Sequence, residues 1–93
     1  MVRVLVLYDE EPDATAYAEH AELCRQVPGG TFRHGKIFGS PMGDPAHRYY
    51  AEWEFADRDA FKAAASSDEF MATGKDAYKR GFPQPTVEFL ELG

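Results

Sequence analysis

A chain of 93 residues makes one small domain, 1–93, whose single core hides only about 60% of the surface exposed on unfolding; an aromatic content of 14% supplies rings for a core, a pocket or an interface rather than for disorder. A formal net charge of −6 with ten scattered Lys and Arg residues argues against nucleic acid as a partner, which calls for a basic stripe. The longest apolar run, Val4 to Tyr8, is far too short to cross a membrane, and a single cysteine, Cys24, excludes an intrachain disulfide.

Val2 to Tyr8, VRVLVLY, opens the chain with a β-branched run. No charged leader precedes it, so a cytoplasmic protein is expected. Val2, Val4, Val6 and Tyr8 point one way and Leu5 and Leu7 the other, the pattern of a central strand covered on both sides. In Asp9-Glu10-Glu11-Pro12-Asp13 the acids complement a helix N-terminus and Pro12 suits its first turn. No histidine stands at ligand spacing from them, which speaks against an acidic metal site.

From Ala14 the spacing predicts a helix that Pro28-Gly29-Gly30 stops. Tyr17, Ala21 and Cys24 fall on one line, and Thr15, Glu19, Glu22 and Gln26 on the opposite side. His20 falls within the apolar stripe. Cys24 on that stripe is expected to be a small buried apolar residue.

Thr31 to Phe38 fits a second strand, and Gly39 to Ala46, GSPMGDPA, a loop long enough to act as a flap over a cleft. His47 to Phe55 alternates, with Tyr49, Ala51, Trp53 and Phe55 on a dry face and Arg48, Tyr50, Glu52 and Glu54 on a mixed one. Asp57 caps a short helix with the stripe Ala60, Phe61, Ala64 and Ala65. Ser66 with Glu69 has capping-box spacing, so a further helix starts there with the stripe Phe70, Met71, Gly74, Ala77 and Tyr78. Lys75, Lys79 and Arg80 then complement its C-terminal carbonyls. Gly81 to Pro85 breaks the helix, and Thr86 to Leu92 forms a fourth strand.

The order is β-α-β-β-α-β with the second helical region split. This is an α+β, ferredoxin-like arrangement: a four-stranded antiparallel sheet with helices on one face. Rings and aliphatics are expected on the uncovered face, an apolar patch that a homodimer through the sheet would bury.

The VLVLY strand, Tyr17-x-x-His20-x-x-Leu23, Pro28-Gly29, Tyr49-Tyr50-x-x-Trp53-Glu54-Phe55, Asp59-Ala60-Phe61 and Asp76 ahead of Phe82 carry a likeness. By these residues the chain resembles the EthD-like family of dimeric α/β-barrel proteins. One departure is visible: the family's His-x-Pro-Leu stands here as His20-Ala21-Glu22-Leu23. The resemblance implies two ferredoxin-like subunits joined by their sheets, with a small cleft in each. It also implies kinship with an accessory protein of ether-degrading monooxygenase clusters and, more distantly in the superfamily, with cofactor-free monooxygenases of polyketide quinones, lactone isomerases and haem-handling enzymes. Fold transfers across such a group more safely than reaction.

His20 is the candidate catalytic residue, because an imidazole on a core-facing stripe can pass a proton to or from a ligand. The same ring held by a carbonyl or carboxylate would only pin the helix, and both roles stay open. Tyr8, Tyr17, Tyr50 and Trp53 are the candidate ligand-binding residues, with Tyr49 beside them, although each also suits plain packing. Tyr50 is favoured for its mixed face.

His34 and His47 lie on neighbouring strands without the spacing of a closed metal site. No cofactor is expected, since no Gly-rich loop precedes a helix; a single axial histidine for haem stays open. The expected function is metal-independent chemistry on a small hydrophobic or aromatic carbonyl ligand. A non-catalytic accessory protein that sequesters a ligand is the alternative, and a cofactor-free quinol monooxygenase a second one.

Overall fold

The β-branched segment Val2–Tyr8 forms β1, an inner strand of a four-stranded antiparallel sheet in the computed structural model, which describes residues 1–93. It pairs with β3 (Tyr49–Phe55) on one side and β4 (Thr86–Glu91) on the other, and β2 (Gly30–Lys36) pairs with β3, giving the order β2-β3-β1-β4. Helices α1 (Ala14–Cys24), α2 (Arg58–Ala65) and α3 (Asp68–Lys79) cover one face. The fold is therefore ferredoxin-like, with the second helical region split as the sequence predicts. Its Cα trace measures 38 × 34 × 16 Å, the depth of just two layers.

Register sorts the side chains. Val4 lies opposite Trp53 and Phe89, and Val6 opposite Ala51 and Val87, so all of these face the helices. The core joins Val4, Val6 and Tyr8 to Ala51, Trp53 and Phe55, and packs them against Tyr17, Ala21 and Cys24 of α1. Trp53 Nε1–H donates to the Cys24 carbonyl at 2.9 Å, satisfying one of the carbonyls that a helix end leaves open. The helix layer stops short of β4, leaving Val87 about half exposed and Phe89 more so.

On the other face Arg3, Leu5 and Leu7 stand opposite Glu54, Glu52 and Tyr50, and beside Leu90, Glu88 and Thr86. Two expectations are corrected here. β1 is covered by helices on one face only, and the open face carries one ring, Tyr50, rather than many. Its centre is an ion-pair network: Arg33 donates to Glu52 at 2.7 Å and Arg3 to Glu54 at 2.9 Å. The dry face of β3 turned its rings toward the helices because alternation leaves them no other side.

Element ends shifted for local reasons. Helix α1 stops at Cys24, ahead of the Pro28-Gly29-Gly30 signal, which instead turns the chain into β2 with Gly29 at φ +76°. Pro12 precedes the cap rather than entering the first turn, and Asp13 accepts from the Ala16 N–H. Asp57 caps α2 as predicted. Ser67, not Ser66, caps α3 by accepting from the Phe70 N–H; Ser66 closes α2 by donating to the Lys62 and Ala63 carbonyls. Tyr78 is exposed, and Thr73 takes the buried place on α3.

Candidate active site

The stripe of α1 carries His20 inward to 4% exposure, next to Tyr17, Ala21 and Cys24. Helix α3 packs alongside and presents Asp76, whose Oδ2 lies 2.8 Å from His20 Nδ1. A carboxylate only accepts, so Nδ1 carries a proton. Nε2 faces the Cys24 sulfur at 3.3 Å, one helical turn along, and accepts from the thiol in the neutral ring. Arg80 completes the line, donating to Asp76 through Nε and to Glu19 through Nη1, both at 2.8 Å.

Charges in this line depend on burial and neighbours. Burial works against the Asp76 carboxylate, but hydrogen bonds from His20 and Arg80, with the Arg80 charge, hold it below the usual carboxylate range. Burial, then the Asp76 charge, pushes the Cys24 thiol up to about 12. Cys24 is thus a neutral donor at neutral pH. Burial also raises the phenols of Tyr8 and Tyr17, keeping them protonated.

His20 borders a cleft of about 380 Å³ between α3 and the sheet. Val4, Val6, Tyr8 and Trp53 make the floor, and Phe70, Thr73 and Gly74 of α3 stand along one side. The Thr73 hydroxyl donates to the Phe70 carbonyl and Trp53 N–H to the Cys24 carbonyl. Both polar groups are spent inside the protein. The other polar groups on the lining are the Tyr8 phenol and His20, whose Nε2 is held only by the weak Cys24 contact.

No protein-family model matches the chain, and no curated protein matches it. Among solved structures it is similar to an ethyl tert-butyl ether D (EthD) family protein from Bacillus halodurans C-125, with 33% identity, 100% of this chain and 99% of that chain covered, and a TM-score of 0.81. The chain belongs to the EthD family. Two more distant likenesses show the fold alone. One is a dimeric ferredoxin-like protein of unknown function from Jannaschia sp. CCS1, at 20% identity with 98% of each chain covered and a TM-score of 0.72. The other is SnoaB, a cofactor-independent oxygenase from Streptomyces nogalater, at 19% identity, covering 98% of this chain and 90% of that one, with a TM-score of 0.60.

In this EthD-family chain α1 runs unbroken through His20-Ala21-Glu22-Leu23 to Cys24. The structure brings His20, Tyr8 and Trp53 together on the cleft. Tyr17 lies behind them, its ring centroid 5.2 Å from that of His20 and 5.8 Å from that of Tyr8. Tyr50 is on the opposite face of the sheet, where its hydroxyl donates to Glu52 at 3.1 Å. The 39–46 loop contributes nothing to the cleft lining.

His34 Nδ1 pairs with the Tyr49 hydroxyl and His47 with Asp9, and no group of three or more His, Cys, Asp or Glu is placed to hold a metal ion. Asp76 and Cys24 are the residues that sequence reasoning left out of the site. Asp76 stood in the sequence only as part of the likeness, ahead of Phe82, with no role given to it. Cys24 stands four residues from His20, a spacing that sets two side chains of a helix face to face.

Proposed function

We propose that this protein binds a small apolar or aromatic carbonyl compound in the cleft and that His20 acts there as general acid and base. The observation that carries the reading is an imidazole fixed by a carboxylate at the wall of an apolar hollow. Asp76 keeps the proton on Nδ1 and stabilises the imidazolium that forms when Nε2 takes a second proton. Nε2 is held only by a thiol, a weak donor, so a ligand hydroxyl or an acidic C–H next to a carbonyl competes for its lone pair. Tyr8, the phenol on the cleft, takes the donor role toward the ligand oxygen.

The test compares the parent with His20→Gln on panels of quinones, lactones and aryl ketones under air. Product formed by the parent and lost in a folded His20→Gln variant supports the reading; equal turnover removes His20 from the chemistry.

One observation favours a second reading, a sequestering protein that binds without reacting: both ring nitrogens of His20 already have partners. Depletion of a ligand from solution with no product would select it.

A homodimer joined through the open sheet face accompanies either reading. Leu5, Leu7, Leu90 and Tyr50 surround an ion-pair network there. The Jannaschia protein is described as dimeric.

A further inference from the structure

We infer that Gly74 decides which molecules enter the His20 cleft, and that the molecules admitted are uncharged and longer than a single ring. This rests on the cleft being the ligand site, not on any reaction within it.

Gly74 is the seventh of the twelve residues of α3. Glycine in a helix interior is less stable than alanine by roughly 0.5–1 kcal/mol, so its presence asks for a reason. Backbone geometry supplies none, because the positive φ angles of the chain belong to Gly29, Gly43 and Gly81. Close packing supplies none either: a Cβ built on Gly74 meets nothing within 4 Å. What a side chain there would occupy is the opening itself.

Gly74 borders two hollows at once. One is the cleft that ends on His20; the other, of about 600 Å³, is walled by Tyr78, Phe82 and Gln84 on the far side of α3's end. Gly74, Ala77 and Pro85 line both. Gly74 has no side chain and Ala77 only a methyl, so little stands between the two hollows. A ligand with its reactive end at His20 can extend past Gly74 toward Phe82.

Charge narrows the class. No Lys or Arg lines either hollow. Arg80, close by, is already shared between Asp76 and Glu19, and the fixed charge nearest His20 is the Asp76 carboxylate. An anion brought here loses its water, finds no cation and meets a like charge. A neutral alcohol, ketone or quinone meets no repulsion there and gives up far less hydration.

Trp53 is the sole tryptophan and lies on the cleft floor, so its indole N–H gives one NMR resonance that reports occupancy. The probes are 2-naphthol and 2-naphthoate, matched in size and differing in charge at neutral pH. 2-Naphthol is expected to move the resonance saturably, and 2-naphthoate to bind at least about ten-fold more weakly, a difference of about 1.4 kcal/mol. Gly74→Leu is expected to weaken 2-naphthol at least about ten-fold by filling the space between the hollows. Gly74→Ala, the milder variant, should raise the melting temperature while weakening 2-naphthol less.

Unchanged 2-naphthol affinity in a folded Gly74→Leu protein would overturn the inference. So would 2-naphthoate binding as tightly as 2-naphthol, or no response to 2-naphthol in the parent. The acid–base reading fails instead on turnover by His20→Gln, so the two failures are told apart.

Discussion

His20 has a carboxylate on one ring nitrogen and a thiol on the other, and these two contacts differ in kind. The first is charge-assisted and short; the second is long and weak. Asp76→Asn should therefore lower any His20-dependent turnover by about a hundredfold, in the range of an acid–base contribution, with the fold intact by circular dichroism. The same carboxylate links stability to pH. Its folded value is depressed, so the stability it adds is full above the ordinary carboxylate value of about 4 and disappears as pH falls through the lower folded value. The melting-temperature gap between parent and Asp76→Asn should thus persist above about pH 4 and shrink as pH falls below it; a gap that grows below about pH 4 would contradict the pairing. Cys24, fully buried and raised to about 12, should react with a disulfide reagent at neutral pH only when the domain opens, at a rate that rises with added denaturant. At this scale the sequence revealed His20, whose place on the stripe follows from a period of 3.6. Asp76 was less visible, because helix-to-helix pairing 56 residues apart leaves no periodic trace.

Whole elements were legible and their ends less so. A strand or helix announces itself through repeated side chains, whereas an end is settled by one bond, often from elsewhere in the chain. Helix α1 finishes where Trp53 reaches its last carbonyl, four residues before the nearest Pro-Gly signal. The α3 cap slipped by one residue because Ser66 and Ser67 are chemically alike and only the fold assigns them. Ser67→Ala should cost about 1 kcal/mol, and Ser66→Ala much less, as read from denaturant midpoints; equal losses would contradict the assignment. At the start of β2, a Cβ on Gly30 would come 2.6 Å from Cε1 of Phe55, a ring only 1% exposed. Gly30→Ala should accordingly destabilise by about 1–3 kcal/mol through overpacking, lowering the melting temperature by several degrees. The same change at Gly35, where nothing lies within 4 Å, is the control.

At the scale of the molecule, a slab with 16 Å between its Cα extremes has one face covered by helices except along β4 and the other held by a network of Arg3, Arg33, Glu52 and Glu54. Which side chains share a face followed from alternation in the sequence. Which of the two faces meets the helices did not, so the chemistry of the open face was misjudged, because that choice requires the third dimension. If a second copy covers that face, Leu5→Glu should shift the sedimentation coefficient from dimer to monomer, while Ala63→Glu on the exposed side of α2 leaves it unchanged. The central claim, that His20 moves protons on a neutral carbonyl compound held in the cleft, has a direct readout in hydrogen exchange at the α-carbon of 2-tetralone in heavy water, followed by NMR. The parent is predicted to accelerate that exchange over buffer and His20→Gln to return it to the buffer rate; exchange at the buffer rate in the parent, or acceleration undiminished in the folded variant, would contradict it.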